Sequence, residues 1–311
     1  MNSKKPRCMD AGSENCPCYL ALTDDCLTCS RLQGKDCQEC DWQGVCIYNE
    51  FIQGNKRVNN PRKEFEADVM EVKKYQEDLM VLVVKVDRGL ALKCSRPGMY
   101  VFVGNDQLSS YHQTPISVLK SDVTNGTLHL AVKIISAKTK ALVGLQKITI
   151  RGPYKAGLVG DLKPVERVLV LSKGIGIAPG IHYAHCQPNH CTVDFIVDTE
   201  KISEKLVCDY LENEKQDERV GKIRYFSFGE QKTLEEIEKT LVNGKYETVL
   251  ILASDYFVEL WSKRAKELCP GINVVISNNA KMCCGEGICG ACTYIDEEGT
   301  VIKRCKCRVS L

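Results

Sequence analysis

Cysteine is the residue of this sequence that most clearly could do chemistry, because 19 of the 311 residues are cysteines. Eight lie between Cys8 and Cys46, none lies between positions 47 and 93, and six lie between positions 283 and 307. Thiolates are preferred ligands of zinc and of iron–sulfur clusters. The two dense groups therefore predict two metal modules that flank a cysteine-poor body.

The carboxy-terminal group has the spacing Cys284-x4-Cys289-x2-Cys292, and Cys305 follows after twelve residues. The x4 and x2 spacings are those of plant-type [2Fe-2S] sites. Small residues at 285, 287, 290 and 291 allow the backbone to curl and to point N–H groups at the sulfurs.

A hairpin that turns at Glu298 and Gly299 is expected to bring in the thiolate of Cys305. A four-cysteine zinc site is the alternative, but such sites usually contain two Cys-x2-Cys pairs. Either of the remaining cysteines, Cys283 and Cys307, could replace a neighbour in the ligand set.

The amino-terminal group has no histidine before His112, so its ligands must all be sulfur. Eight cysteines can hold two [4Fe-4S] clusters, or one cluster with spare thiols. Zinc held by the Cys-x2-Cys pairs 26/29 and 37/40 is an alternative, and an unliganded or reactive set is another. The candidate ligands are Cys8, Cys16, Cys18, Cys26, Cys29, Cys37, Cys40 and Cys46.

The charge and hydropathy pattern excludes several classes of protein. The net charge of +2 gives no indication of a nucleic-acid partner. No apolar run typical of a secretory signal occurs in the first fifteen residues, and no stretch of 18 apolar residues follows. We therefore expect a cytoplasmic protein without membrane insertion, in which thiols stay reduced and bind metal rather than form disulfides.

Two kinds of element must position these cysteines. Short apolar or alternating runs separated by turn signals between 64 and 151 predict an antiparallel β-barrel. From about 164, buried strands alternate with helix-like stretches, which predicts a doubly wound parallel sheet. The expected units are a cysteine-rich module (1–60), the barrel (61–162), the α/β domain (163–277) and a [2Fe-2S] module (278–311).

Several short motifs lie in this body. The strand ending at 172 runs into KGIGIAP (173–179), where glycines before a helix let backbone N–H groups approach a phosphate. The barrel contains RPGMYVFV (96–103), TPIS (114–117), AVK (131–133), KT (138–139) and GPYKAG (152–157).

Together with the carboxy-terminal cysteines, these motifs resemble the electron-transfer subunit of dihydroorotate dehydrogenase, a member of the ferredoxin reductase superfamily. The resemblance covers roughly residues 64–311. It implies an FAD between barrel and sheet, NAD(P)H on the sheet, and a [2Fe-2S] cluster that relays electrons to a catalytic partner subunit. No side chain is then needed as a general acid or base, since the cofactors carry the chemistry.

The resemblance also implies which residues bind FAD and the nicotinamide nucleotide. These are Thr114, Pro115, Ile116, Ser117, Ala131, Val132, Lys133, Lys138, Thr139, Gly152, Pro153, Gly174, Gly176, Ala178 and Pro179.

The chain departs from the family pattern at several of these positions. Thr114 stands where the family has its flavin-phosphate arginine, and Lys138, Lys155 and Lys173 stand where it has glycines. Residues 253–255 read ASD in place of Cys-Gly-Pro. The lysines could supply charge to phosphates. The competing hypotheses are a reductase fold that has lost nucleotide chemistry and serves as a scaffold and iron–sulfur conduit, and a zinc-stapled interaction module.

Overall fold

A closed antiparallel barrel forms the centre of the computed structural model, which describes residues 7–59, 62–105, 113–213, 218–296 and 299–307. Around the barrel the strand order is β1-β2-β5-β4-β3-β6. The strands are β1 (Glu64–Gln76), β2 (Leu79–Lys85), β3 (Tyr100–Gly104), β4 (Thr114–Asp122), β5 (Thr127–Lys133) and β6 (Lys147–Tyr154). Helices α3 (Arg88–Cys94) and α4 (Ala137–Lys140) lie in its connections. This confirms the predicted barrel.

A six-stranded sheet follows, in the order β10-β9-β8-β11-β12-β7. Its strands are β7 (Leu158–Val159), β8 (Arg167–Lys173), β9 (Thr192–Asp198), β10 (Val220–Tyr225), β11 (Thr248–Leu252) and β12 (Asn273–Ser277). The accompanying helices are α5 (Ile177–His185), α6 (Glu204–Val207), α7 (Gln231–Gly244) and α8 (Asp255–Leu268). A π-helical turn (Cys208–Glu212) continues α6.

The sheet is mixed rather than wholly parallel, which corrects the prediction. Strands β8 to β12 pair in parallel, but β7 pairs antiparallel with β12. Strand β7 belongs to the segment that follows the last barrel strand, and both of its residues are buried. It covers the edge of β12, which would otherwise present unpaired backbone groups.

One face of the barrel shares a hydrophobic core with the sheet, and the barrel interior forms a second core. The run LMVLVV at the start of β2 is buried at every position, because alternate side chains serve two different cores. Met80, Leu82 and Val84 point into the barrel, whereas Leu79 and Val81 pack with residues of the sheet and of α5. At this interface the Nε2 of His182 donates a hydrogen bond to the carbonyl of Arg96 at 3.1 Å.

The two cysteine-rich segments lie against each other. The first contains α1 (Tyr19–Leu22), α2 (Ile47–Gln53) and 3-10 turns at Arg31–Gln33 and Cys37–Glu39. The second contains an antiparallel hairpin of β13 (Thr293–Ile295) and β14 (Val301–Lys303), whose predicted turn residue Glu298 lies outside the described residues. Backbone pairing between Cys8 and Cys307 joins the segments.

Candidate functional site

A cleft of about 490 Å³ opens at the junction of barrel and sheet. Its sheet side is formed by residues that follow β8 and β11, which are neighbours in the sheet although they are not consecutive in the chain. In open α/β sheets, ligands bind outside the carboxyl ends of the strands at such a switch point. The barrel side is formed by β4, β5 and the segment that leads into α4.

Ten of the residues predicted to bind cofactor line this cleft: Thr114, Pro115, Ile116, Ser117, Ala131, Lys133, Thr139, Gly176, Ala178 and Pro179. The other five do not line it. Val132 points into the barrel core, and the carbonyl of Pro153 accepts a hydrogen bond from Arg62 at 2.9 Å. Gly174 begins the 3-10 turn below the cleft, with a φ of +61° that favours glycine.

The cleft residues that are not among those predicted to bind cofactor include Ser277, Asn278 and Asn279. These three lie at the carboxyl end of β12, and that position is the signal that could have identified them. Asn278 also reaches the cysteine-rich hairpin, because its Nδ2 donates to the carbonyls of Ala156 at 2.7 Å and of Arg304 at 2.9 Å. Arg304 immediately precedes Cys305, so one side chain joins the cleft to a predicted metal ligand.

The cleft contains polar groups that remain available to a ligand. The buried hydroxyl of Thr114 has no hydrogen-bond partner among the described residues. Helices α5 and α8 begin at the cleft, and neither N-cap makes a side-chain capping bond. Backbone N–H groups at helix N-termini favour anionic groups such as phosphates.

Gly176 is required by close packing. A Cβ at this position would lie 2.2 Å from the carbonyl oxygen of Leu252 on the neighbouring strand. Only glycine allows the loop to approach β11 this closely. The Thr114 hydroxyl, the two helix N-termini and this close approach of the loop together fit a flavin or nicotinamide nucleotide at the cleft.

Two of the lysines that stand where the resembled family has glycines, Lys173 and Lys155, already interact with groups of this chain. Lys173 lies 2.7 Å from Asp198 and 2.6 Å from Glu200, and these carboxylates outweigh burial and raise its pKa. Lys155 donates to the carbonyl of Met9 at 3.2 Å, away from the cleft. Neither ammonium group is therefore free to pair with a phosphate in the cleft.

The carboxy-terminal cysteines lie on a loop with three glycines at positive φ: Gly285, Gly287 and Gly290. The sulfur of Cys284 accepts backbone N–H groups of Glu286 at 3.3 Å and of Cys289 at 3.5 Å. Across the hairpin, the sulfurs of Cys292 and Cys305 lie 3.1 Å apart. A curled backbone and an all-sulfur donor set are what the predicted [2Fe-2S] cluster would require, but the four thiols of the described loop do not converge as they stand.

An aromatic layer packs against this loop. Tyr100, Phe102 and Tyr154 form a cluster with ring centroids 5.1–5.9 Å apart. A Cβ on Gly285 would lie 2.5 Å from the Tyr154 ring, so the loop lies directly on the aromatic cluster. Arg151 donates to the carbonyl of Cys284 at 2.9 Å and also contacts the Tyr154 hydroxyl.

Four buried charges join both cysteine-rich segments to the barrel, and no local sequence pattern indicates them. Arg62 donates to both carboxylate oxygens of Asp10 at 2.9 Å and to both of Glu286 at 3.1 Å. Lys306 donates to Asp10 at 2.9 Å and to Glu286 at 2.8 Å. We call Asp10, Arg62, Glu286 and Lys306 the charge cluster.

Each member of the charge cluster has an ion pair within it, and Lys155 also lies 3.5 Å from Asp10 while the Tyr154 hydroxyl donates to Glu286 at 3.0 Å. The side chain of Lys306 is 0% exposed and that of Arg62 is 4% exposed. Burial alone would raise the pKa of Asp10, but Lys306 and Arg62 outweigh it and lower the pKa to about 2. Burial would lower the pKa of Lys306, but the two carboxylates raise it. Asp10 and Lys306 therefore remain charged at neutral pH.

The amino-terminal cysteines are not all brought together. Cys8, Cys16, Cys18 and Cys26 surround one small cavity, Cys29 packs in a small apolar core, and Cys37, Cys40 and Cys46 are exposed. In the described part of the chain, no three His, Cys, Asp or Glu side chains converge closely enough to hold a metal as they stand. Among the helices described there, none has the length and apolar character needed to cross a membrane.

The fold is that of the ferredoxin-reductase-like flavin and nicotinamide oxidoreductases. An NADH-dependent reduced ferredoxin–NADP oxidoreductase, studied for flavin-based electron bifurcation, has 16% identity and a TM-score of 0.60, covering 77% of this chain and 85% of that one. Phthalate dioxygenase reductase, which transfers electrons from pyridine nucleotides to [2Fe-2S], has 12% identity and a TM-score of 0.52. That match covers 79% of this chain and 95% of the reductase.

Two curated proteins have sequences related to this chain. An uncharacterized protein encoded in the adh 3′ region of Clostridium beijerinckii is 24% identical over 221 residues, which is 64% of this chain and 70% of that protein. The gamma subunit of sulfhydrogenase 2 from Pyrococcus furiosus is 27% identical over 128 residues, 39% of this chain and 42% of the subunit. No family model matches the sequence.

Proposed function

We propose that this chain is the electron-transfer subunit of an oxidoreductase complex, which passes electrons between NAD(P)H, FAD and iron–sulfur centres to or from a partner dehydrogenase or reductase. The observation that carries the proposal is the cleft between barrel and sheet, where ten residues predicted independently for cofactor binding come together. A fold shared with a pyridine-nucleotide-dependent reductase supports it.

The barrel wall of the cleft would hold the flavin. Thr114 to Ser117 and Thr139 line this wall, and the unpartnered hydroxyl of Thr114 would bond to the cofactor. The sheet wall, with Gly176 and the first residues of α5 and α8, would hold phosphate and nicotinamide groups. When bound, FAD accepts a hydride from the nicotinamide and releases electrons singly, which a [2Fe-2S] cluster requires.

The [2Fe-2S] ligands would be Cys284, Cys289, Cys292 and Cys305. This chain orients them in three ways. Glycines at positive φ curl the loop, backbone N–H groups point at the Cys284 sulfur, and Asn278 anchors the residue before Cys305 to the cleft. The amino-terminal cysteines would add one or two [4Fe-4S] clusters or zinc.

A partner subunit would supply the organic substrate chemistry. The described residues provide a cofactor cleft and cysteine loops, and the proposed electron carriers need no general acid or base. A relative that is named as one subunit of sulfhydrogenase 2 supports membership in a larger complex.

Anaerobic purification of the full chain tests this proposal. We expect close to one FAD per chain, at least two irons with matching sulfide, and bleaching of the flavin absorbance on addition of NADH or NADPH. Cys292→Ser should remove two irons and leave the flavin in place. Folded, iron-replete protein without flavin would overturn the proposal.

The second candidate is a scaffold that has lost nucleotide chemistry but keeps its clusters. The observation that favours it is Lys173, which replaces a loop glycine of the family and forms two ion pairs at the cleft. Iron and sulfide without flavin, and no spectral change with either reduced nucleotide, would be its signature.

A further inference from the structure

An enclosed cavity in the amino-terminal segment is lined by four of its eight cysteines: Cys8, Cys16, Cys18 and Cys26. Its volume is about 10 Å³, close to the space of one water molecule. Apolar side chains, including Leu20, Ala21 and Ile47, form much of the remaining wall. Four thiols line this cavity together with the polar residues Asp10, Asn15 and Thr28.

Hydrogen bonds fix two of these four positions. The amide of Cys8 donates to the hydroxyl of Thr28 at 3.2 Å, which fixes the first cysteine to the Cys26 loop. The sulfur of Cys26 accepts the amide of Cys29 at 3.4 Å. Cys16 and Cys18 flank Pro17, immediately before α1. The chain thus gathers residues from three separate loops at one point.

The other cysteines of the segment are placed differently. Cys37, Cys40 and Cys46 are exposed. Cys29 is buried, but it packs with Leu32 and Phe51 rather than lining the cavity. The cavity therefore contains only Cys26 of the pairs 26/29 and 37/40, and two clusters would require ligands that lie at the surface.

Sulfur donors in an apolar enclosure select thiophilic metals over hard cations such as magnesium or calcium. The four thiols line the cavity without converging. Metal binding would therefore require their side chains to change rotamer. Binding would release the four thiol protons to solvent, leaving a centre with net negative charge.

We infer that Cys8, Cys16, Cys18 and Cys26 are the ligands of a single thiolate-bound iron or zinc centre, and that Cys37, Cys40 and Cys46 are not ligands. The inference rests on the proposed function and replaces an eight-cysteine ligand set with four. It also places the centre beside the carboxy-terminal module, since Cys8 pairs with Cys307 and the amide of Met9 donates to the carbonyl of Lys306 at 2.7 Å.

Metal analysis of full-length variants tests the ligand set. Iron, sulfide and zinc are measured per chain in the wild type, in Cys18→Ser, and in a control with Cys37, Cys40 and Cys46 all changed to Ser. We expect Cys18→Ser to lose the metal of one centre and the triple variant to keep it. Sulfide lost together with iron identifies a cluster, loss of iron alone a mononuclear site, and loss of zinc a zinc site.

Thiol labelling of the wild-type protein gives a readout that does not depend on a variant that folds. Iodoacetamide followed by mass spectrometry should modify Cys37, Cys40 and Cys46 in the native protein. The four cavity cysteines should react only after a chelator removes the metal. Retention of all metal in Cys18→Ser, loss of metal in the triple variant, or equal labelling of both sets would overturn the inference. Flavin content and bleaching are measured separately, so failure of the proposed function remains distinguishable.

Discussion

The cleft and the charge cluster both contain polar groups inside the molecule, but they differ in how those groups are satisfied. In the charge cluster, two cations and two carboxylates pair with one another at 2.8–3.1 Å. In the cleft, the Thr114 hydroxyl has no partner among the described residues, and two helix N-termini lack side-chain caps. A closed set of partners indicates a structural role, whereas an incomplete set indicates a place for a ligand.

The comparison predicts that changes in the charge cluster affect stability far more than cofactor content. The change Lys306→Met leaves two buried carboxylates with one fewer cation, and breaking a buried pair in this way costs about 3–5 kcal/mol. Urea unfolding of single-tryptophan variants would measure it, because Trp42 lies in the amino-terminal segment and Trp261 in α8. We expect the transition reported by Trp42 to shift most.

Lys147→Met is the matched control, since Lys147 forms an exposed ion pair with Glu66 at 3.2 Å. It should change stability much less, because exposed pairs contribute little. Equal destabilisation by the two changes would show that the charge cluster has no special structural role.

Lowering the pH should affect the barrel–sheet interface and the charge cluster differently. Burial lowers the pKa of His182, at the barrel–sheet interface below the cleft, to about 4. The unfolded chain binds this proton near pH 6.5, so the stability present at neutral pH falls as the pH drops from 6.5 to 4. The expected loss is about 3 kcal/mol. Over this range Asp10, with its pKa of about 2, stays ionised and keeps its ion pairs with Arg62 and Lys306.

Denaturation at several pH values checks this prediction. His182→Gln should flatten the slope between pH 6.5 and 4, whereas His190→Gln, at an exposed position, should leave it unchanged. A slope that persists in His182→Gln would assign the acid sensitivity to other groups.

Alanine substitutions at two glycines of one loop should differ in their effects on stability and flavin binding. In Gly176→Ala the new methyl group overlaps the Leu252 carbonyl, so we expect a loss of about 1–3 kcal/mol together with reduced flavin and nucleotide binding. Gly174→Ala meets no atom closer than 3.9 Å and carries only the strain of its positive φ, about 1 kcal/mol. Thermal unfolding and bound-flavin content measure both effects. If the two variants behaved alike, close approach to β11 would not matter.

The smallest expected effect on stability is at Thr114. Because its buried hydroxyl has no partner among the described residues, Thr114→Val should leave stability unchanged or slightly raised, while flavin affinity falls about fivefold, as loss of one hydrogen bond predicts. Thr149→Val is a close control, since the buried Thr149 hydroxyl also has no partner in the described part of the chain but does not line the cleft. Equal flavin affinity in both variants would remove Thr114 from the cofactor site.

Local patterns were enough to predict the barrel and the alternating strands and helices, whereas the ten predicted residues that line the cleft came from the family resemblance. Strands and helices have their own periodicities, and the ends of parallel strands meet at one edge of a sheet. The antiparallel β7 was not predicted as an edge strand, because a run of two residues has no measurable period.

The sequence by itself determined the kind of chemistry that the cysteines can do, because ligand type and the x4 and x2 spacings are local properties of one loop. Only the tertiary structure decided which amino-terminal cysteines meet, and that Asp10 and Lys306, 296 positions apart, share a buried ion pair. Such pairings depend on where the chain places distant segments, and a single charged residue carries no sign of its partner. The same holds for Asn278, whose contact with Arg304 exists only after the hairpin docks beside the cleft.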